Sequence, residues 1–161
     1  MIYIGFSKQK GFKPFAWIIQ WWQGGTDFAH AYIRFYDYYT RQWVIVEARR
    51  DVHIVEWENW KALNTTTHEF ALEVSSKRRR EAVAFAIKNC EKPYSFLNII
   101  GLTINEIFGF NLFKDQGKAF ICSELVATIF DKELKFDKPL DYVTPKDVYD
   151  AIIELQGSNN G

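Results

Sequence analysis

Two alternating segments in the first third of the chain constrain its fold most strongly. Residues 26–35 and 42–48 are rich in aromatic and β-branched side chains, which is typical of β-strands. A hairpin that turns about Tyr38 and Tyr39 pairs position i with position 77 − i, and this register places His30 directly opposite Glu47 on one face. No Asn-Gly or Asp-Gly pair specifies the turn, and a slip of one residue would put the two side chains on opposite faces.

The remaining patterns predict an α+β fold in which an antiparallel sheet packs against helices. Further strands are expected at three places: residues 1–6, 53–55 and 69–74. Helix starts and stops, together with apolar spacing, indicate four helices: residues 14–23, a helix capped by Ser75 or Ser76 that ends before Pro93, residues 122–134, and a helix that begins at Pro145 after the cap Thr144. The apolar residues 96–113 predict a helix followed by a mobile loop. We expect one domain over residues 1–156 and a flexible polar tail over 157–161.

A cysteine opens one of these apolar helices, in the run Phe-Ile-Cys-Ser-Glu-Leu-Val of residues 120–126. A helix N-terminus carries partial positive charge and free N–H donors, which favour a thiolate and bring a cysteine pKa down to roughly 3.5–7.5. The same donors can bind an oxyanion. The alternative is that Cys122 is a small buried core residue, because its neighbours are apolar.

A cysteine at a helix tip, a histidine on a strand and a carboxylate on the next strand form the Cys-His-acid arrangement of papain-like enzymes. In this chain the order is His30, Glu47, Cys122. In the NlpC/P60 papain-like peptidases the cysteine helix precedes the strands. The chain therefore resembles the circularly permuted branch of that superfamily, which includes YiiX- and YaeF-like bacterial proteins and is related to lecithin:retinol acyltransferase.

Five short segments carry the resemblance. Residues 28–33 resemble the family's Phe-Ser-His-Val-Gly-Ile, with Ala29 in place of the usual serine, and residues 46–48 match its Val/Ile-Glu-Ala strand. Residues 122–126 match the Cys-Ser-Glu-Leu-Val of the permuted group, and residues 144–148 resemble its closing Thr/Ser-Pro-x-Asp-Leu helix start. Residues 92–95 resemble the family's Pro-Tyr segment, whose tyrosine approaches the catalytic cysteine. The resemblance thus implies a site role for Tyr94, as an oxyanion donor.

The resemblance implies a permuted papain-like fold and a cysteine hydrolase that works through a thioester. Cys122 would attack an amide or ester carbonyl, His30 would act first as base and then as acid, and Glu47 would orient the imidazole. NlpC/P60 relatives imply cell-wall peptides as substrate, so a peptidase or amidase is the first expectation. A lipid acyl-ester hydrolase or acyltransferase is the alternative within the same superfamily, and a non-catalytic binding module is the alternative outside catalysis.

Composition removes several classes of function. Lysine plus arginine and aspartate plus glutamate both number 20, so net charge does not favour nucleic acid or an anionic membrane. Two cysteines do not make a disulfide framework. No signal peptide or segment of transmembrane length is visible, which leads us to expect a cytoplasmic or phage-encoded protein. No cofactor is expected.

Other conspicuous residues are assigned structural roles. His53 and His68 lack ligand-spaced neighbours, so no metal site is expected. The basic run of residues 77–80 indicates a solvated helix face, with an anionic partner as the alternative. Six tryptophans exceed the needs of one core and some are expected to line a groove. Those on the first apolar helix, Trp17, Trp21 and Trp22, are expected in the core.

Overall fold

The protein has an α+β fold built on one five-stranded antiparallel sheet, which confirms the predicted fold class. The computed structural model describes residues 1–11, 14–93 and 120–158. The strands are β1 Ile2–Gln9, β2 His30–Asp37, β3 Gln42–Ala48, β4 Val52–Glu56 and β5 Asn64–Leu72, in the order β4-β3-β2-β1-β5 with every neighbouring pair antiparallel. Tyr94 and residues 96–113 lie outside the described residues.

Five helices and one short 3₁₀ turn are described. They are α1 Pro14–Trp22, α2 Trp57–Leu63, α3 Ser76–Lys88, α4 Cys122–Ile129 and α5 Pro145–Ser158, with the 3₁₀ turn at Leu140–Tyr142. Ser75 caps α3 by accepting from the backbone N–H of Arg78 at 3.1 Å. Helix α2 was not predicted, and α5 extends to Ser158, beyond the expected domain boundary at residue 156.

The β2–β3 hairpin differs from its predicted register by two residues. Ile33 pairs with Val46 and Asp37 with Gln42, so position i pairs with 79 − i rather than 77 − i. The Asp37 carboxylate accepts from the backbone N–H groups of Tyr39 and Thr40 at 3.0 and 3.3 Å, and this Asx-type turn moves the centre of the hairpin along the chain. A shift of two preserves the facing of every side chain, so His30 and Glu47 still share a face, as diagonal rather than direct neighbours.

The two faces of the sheet have different coverings. One face carries the main core, in which apolar residues of β1, β2 and β3 pack against α3, α4 and α5. On the other face Tyr32 and Ile45 form a smaller buried cluster with Trp60 of α2. Because side chains alternate along a strand, His30 and Glu47 belong to this second face, which α2 covers.

Helix α1 corrects the expectation that its tryptophans are buried. Trp17 is 62% exposed and Trp21 is 71% exposed, while the side chain of Trp22 lies outside the described part of the structure. The helix has no charged residue, so its sequence contains no polar side that would specify which surface turns toward the protein.

The basic run at the start of α3 contributes to the fold. Arg78 pairs with Glu133 and donates to the carbonyl of Ile129 at the C-terminal end of α4, where a cation complements the helix dipole. Arg79 donates to the carbonyl of Tyr36. Lys77 and Arg80 are exposed. Among the described helices, none is long and apolar enough to cross a bilayer.

Candidate active site

Cys122 is the first residue of α4 and is buried, with 4% of its surface exposed. The helix start is held by two contacts. The backbone N–H of Ile121 donates to Glu124 Oε2 at 3.3 Å, and Ser123 Oγ donates to the carbonyl of Val143 at 2.6 Å. Glu124 also places a negative charge in the first turn, where the helix dipole favours it. The thiol therefore sits at a fixed helix N-terminus.

The surroundings of the Cys122 thiol favour its ionised form. Burial by itself raises the pKa of the thiol. The charge of His30, a hydrogen bond from its ring, and backbone hydrogen bonds from Ala31 and Ser123 outweigh burial and hold the pKa of Cys122 below the ordinary value of 9.0. A lowered pKa is the direction of shift that is typical of reactive cysteines.

His30 begins β2 and lies between the thiol and a carboxylate. Its Nε2 donates to Glu47 Oε2 at 2.8 Å, and its ring also forms a hydrogen bond with Cys122. Burial lowers the pKa of His30, but the negative charges of Cys122 and Glu47 raise it to about 9. The two pKa shifts act in the same sense, because each favours the form in which His30 is protonated and Cys122 is ionised.

Glu47 is 3% exposed and accepts hydrogen bonds from three rings. His30 Nε2 and Trp60 Nε1 each donate to Oε2 at 2.8 Å, and His53 Nε2 donates to Oε1 at 3.2 Å. The Arg49 guanidinium lies 3.6 Å from Oε2. Burial raises the pKa of Glu47, but the charge of His30 and the hydrogen bonds from His30 and His53 lower it by more. The pKa of Glu47 therefore lies well below its usual range, and the carboxylate is ionised.

A second layer of polar contacts fixes these partners. Arg49 donates to Asn64 Oδ1 at 2.8 Å, and Asn64 Nδ2 donates to the carbonyl of Trp60 at 2.9 Å. These bonds tie the end of β3 to α2 and to the start of β5. The carboxylate is therefore positioned by three different elements of the fold.

The structure brings together three of the four predicted site residues. His30, Glu47 and Cys122 form one hydrogen-bonded line, while Tyr94 lies outside the described residues. Sequence reasoning missed Trp60, because α2 was not predicted. It also missed His53 as a partner of Glu47, although the short connection between β3 and β4 carried the signal: the two residues are direct partners in that hairpin.

The other cysteine and the third histidine lie apart from this line. Cys90 donates its thiol to the carbonyl of Ala86 at 3.4 Å, and burial raises its pKa. His68 pairs with Asp27 at 3.0 Å. Ser7 is the direct strand partner of His30, and its hydroxyl is the buried side-chain polar atom that lacks a hydrogen-bond partner among the described residues.

Comparisons with known proteins show the fold. No family model matches the chain, and no curated protein matches it. The crystal structure of metalloprotein YiiX from Escherichia coli O157:H7 matches 93% of this chain and 91% of its own chain, with a TM-score of 0.54 and 16% sequence identity. At that identity the likeness concerns the backbone. The chain therefore has a YiiX-like α+β fold over nearly its whole length.

Proposed function

We propose that this chain is a cysteine hydrolase with a Cys122-His30-Glu47 triad on a circularly permuted papain-like fold. The observation that carries the proposal is the line in which Glu47 holds His30 Nε2 at 2.8 Å while His30 faces the thiol. The chain order of the three residues and the YiiX-like fold support the permutation.

The reaction begins from the ion pair. The Cys122 thiolate attacks the carbonyl carbon of an amide or ester, and the oxygen takes up the electron pair at the N-terminus of α4, where the positive end of the helix dipole stabilises negative charge. His30 then gives its proton to the leaving amine or alcohol as the C–N or C–O bond breaks, and a thioester remains on Cys122.

Water completes the cycle. Neutral His30 accepts a proton from water as the oxygen attacks the thioester, and the thiolate leaves with the pair of electrons from the C–S bond. The acid product departs, and His30 is again an imidazolium beside the thiolate. Glu47 keeps the ring oriented and stabilises its charge throughout.

Amides or peptides, such as those of the cell wall, are the leading substrate class, and the reaction is their hydrolysis. The exposed Trp17, Ile18 and Trp21 of α1 favour one alternative, the hydrolysis or transfer of lipid acyl esters, since apolar side chains suit an acyl chain. A binding module without turnover is disfavoured because all three triad residues are retained and paired.

A metal does not fit the triad residues. YiiX is named a metalloprotein, but among the described residues no cluster of three or more His, Cys, Asp or Glu side chains is arranged to hold a metal ion. The ring nitrogens of His30 and His53 point at carboxylate or thiol groups of the protein instead. No step of the proposed reaction passes through a metal.

The test compares purified wild type, Cys122→Ala and Cys90→Ala on muropeptides and, separately, on fatty-acyl esters. We expect wild type and Cys90→Ala to release stem-peptide fragments and Cys122→Ala to release none. An acyl group trapped on Cys122, found by intact-protein mass spectrometry, would move the assignment to lipid chemistry. Equal behaviour of wild type and Cys122→Ala on both substrate sets would overturn the proposal.

A further inference from the structure

His53 contacts the triad glutamate from the neighbouring strand. Its Nε2 lies 3.2 Å from Glu47 Oε1, and its Nδ1 lies 2.9 Å from Asp51 Oδ1 and 3.2 Å from the Asp51 carbonyl. Both ring nitrogens therefore face oxygen acceptors. A neutral imidazole has one N–H, so the ring can donate to both carboxylates only as an imidazolium. The hydrogen bond to Glu47 accordingly raises the pKa of His53 above 6.5.

Donors to Glu47 are divided between its two oxygens. Oε2 accepts from His30 and Trp60, and among the described residues His53 is the donor to Oε1. A carboxylate held at one oxygen can rotate about its last bond, whereas one held at both cannot. His53 thus restricts the rotation that would carry Oε2 away from His30.

The charged groups that contact His53 come from β3 and from the turn between β3 and β4. Glu47 of β3 and Asp51 of the β3–β4 turn contact the ring, and Arg49 lies beyond Glu47. Helix α2 contributes the neutral indole of Trp60, while its charged pair Glu58 and Lys61 bind each other at 2.9 Å.

The chain after α3 runs along the other side of β4. Val52 donates its backbone N–H to the Lys92 carbonyl at 2.9 Å and accepts from the Glu91 N–H at 2.8 Å. The Lys92 ammonium lies over the ring of Phe120 at 5.1 Å, and Asp51 is close enough to Cys90 to raise its pKa. The two carboxylates in direct contact with His53 therefore dominate its charge state.

We propose that His53 is a positioning residue: as an imidazolium between Asp51 and Glu47, it fixes the Glu47 carboxylate against His30 and keeps Cys122 ionised at a lower pH than would be the case without His53. This inference rests on the proposed triad. The effect of His53 is electrostatic, because a positive ring beside Glu47 stabilises the negative charges of Glu47 and of the Cys122 thiolate.

The first experiment follows the three histidine rings by NMR as a function of pH, with assignments from His53→Gln and His68→Gln. We expect the His53 ring to titrate above its ordinary value of about 6.5, and Asp51→Asn to lower that midpoint by roughly one unit. Titration at the ordinary value, unmoved by Asp51→Asn, would overturn the proposal.

The second experiment measures the alkylation rate of Cys122 by iodoacetamide from pH 4 to 10, in a Cys90→Ala background. His53→Gln keeps an N–H donor for Glu47 but removes the charge, so the acid limb should move to higher pH by a few tenths of a unit with little change in the plateau. His53→Phe removes donor and charge, and its plateau should fall several-fold. His68→Gln removes a histidine paired with a different carboxylate and should leave the profile unchanged.

The outcomes separate this inference from the proposed function. If wild type shows a thiolate at neutral pH and His53→Gln superimposes on it, the triad stands and the role of His53 is overturned. If wild-type Cys122 alkylates as an ordinary thiol, both are overturned. Unfolding curves of each variant distinguish loss of fold from loss of positioning, because loss of fold alone would not displace the acid limb.

Discussion

Trp60 donates its indole N–H to Glu47 Oε2 over 2.8 Å, the same oxygen that holds His30. Helix α2 thereby covers the second face of the sheet and contributes a hydrogen-bond donor to the carboxylate. The ring also packs against Trp57 at 5.3 Å and Tyr32 at 4.6 Å between centroids, so the hydrogen bond and the apolar packing of one side chain serve the same site.

Replacing Trp60 by phenylalanine should separate these two contributions. The aromatic packing is largely kept while the buried carboxylate loses one donor, so we expect a loss of about 1–3 kcal/mol in the free energy of unfolding and slower alkylation of Cys122. Urea unfolding and iodoacetamide kinetics measure the two effects. Trp57→Phe is the matched control, since Trp57 stacks on Trp60 without bonding Glu47; equal effects on alkylation would contradict the role of the indole N–H.

The two cysteines should differ sharply in reactivity. The pKa of Cys122 is lowered by His30 and that of Cys90 is raised by burial, so at pH 6 we expect iodoacetamide to modify Cys122 first by at least tenfold. Peptide mass spectrometry after short exposure identifies the site. Slow and equal modification of both would remove the nucleophile assignment.

Glu47 should make the protein sensitive to acid. A carboxyl group with a depressed folded-state pKa contributes stability above its unfolded value of 4.5, and this contribution is lost as the pH falls below that value. In a Cys122→Ala background, which removes the thiolate, Glu47→Gln should cost about 3–5 kcal/mol at pH 7 because buried donors lose their anion. The difference should shrink steadily below pH 4.5. A constant difference from pH 7 to pH 3 would show that Glu47 is not the titrating group.

Gly5 should tolerate no side chain. A Cβ at this position would lie 2.1 Å from Tyr32 Cζ, and the Tyr32 hydroxyl is held by Thr66 and Glu69 at 3.0 and 2.9 Å. Gly5→Ala must therefore displace a buried ring and should cost about 1–3 kcal/mol or more in thermal or urea unfolding. Gly157→Ala is the control: nothing lies within 4 Å of the added Cβ, and alanine in a helix should be neutral or stabilising.

Removing the buried hydroxyl next to His30 should be harmless to the fold. Ser7 Oγ has no partner among the described residues, so Ser7→Ala removes a desolvated polar group and should leave stability unchanged or raise it by about 1 kcal/mol. Alkylation of Cys122 should also be unchanged. A fall in substrate turnover with normal alkylation would place the hydroxyl in substrate binding.

Local sequence patterns correctly predicted the helices and strands whose ends are set by capping residues, prolines or turns. Strand β3 has the predicted bounds, and α5 begins at Pro145 after Thr144, which shares a reciprocal hydrogen-bonded turn with Asp147. The cysteine was correctly placed at a helix start. Periodicity, caps and proline positions depend on neighbours in sequence, so a single chain displays them.

Tertiary structure alone decided how these elements meet. The β2–β3 register moved by two residues because an Asp37 turn, and not a two-residue turn motif, closes the hairpin; His30 and Glu47 kept a common face only because side-chain facing repeats every two residues. Trp60 and His53 reach Glu47 from a helix and a strand distant from His30 in sequence. The Trp60 contact arises from packing across the second face of the sheet, and no local pattern encodes which helix will supply that donor. The His53 contact follows from the register of the short β3–β4 hairpin, which brings His53 opposite Glu47.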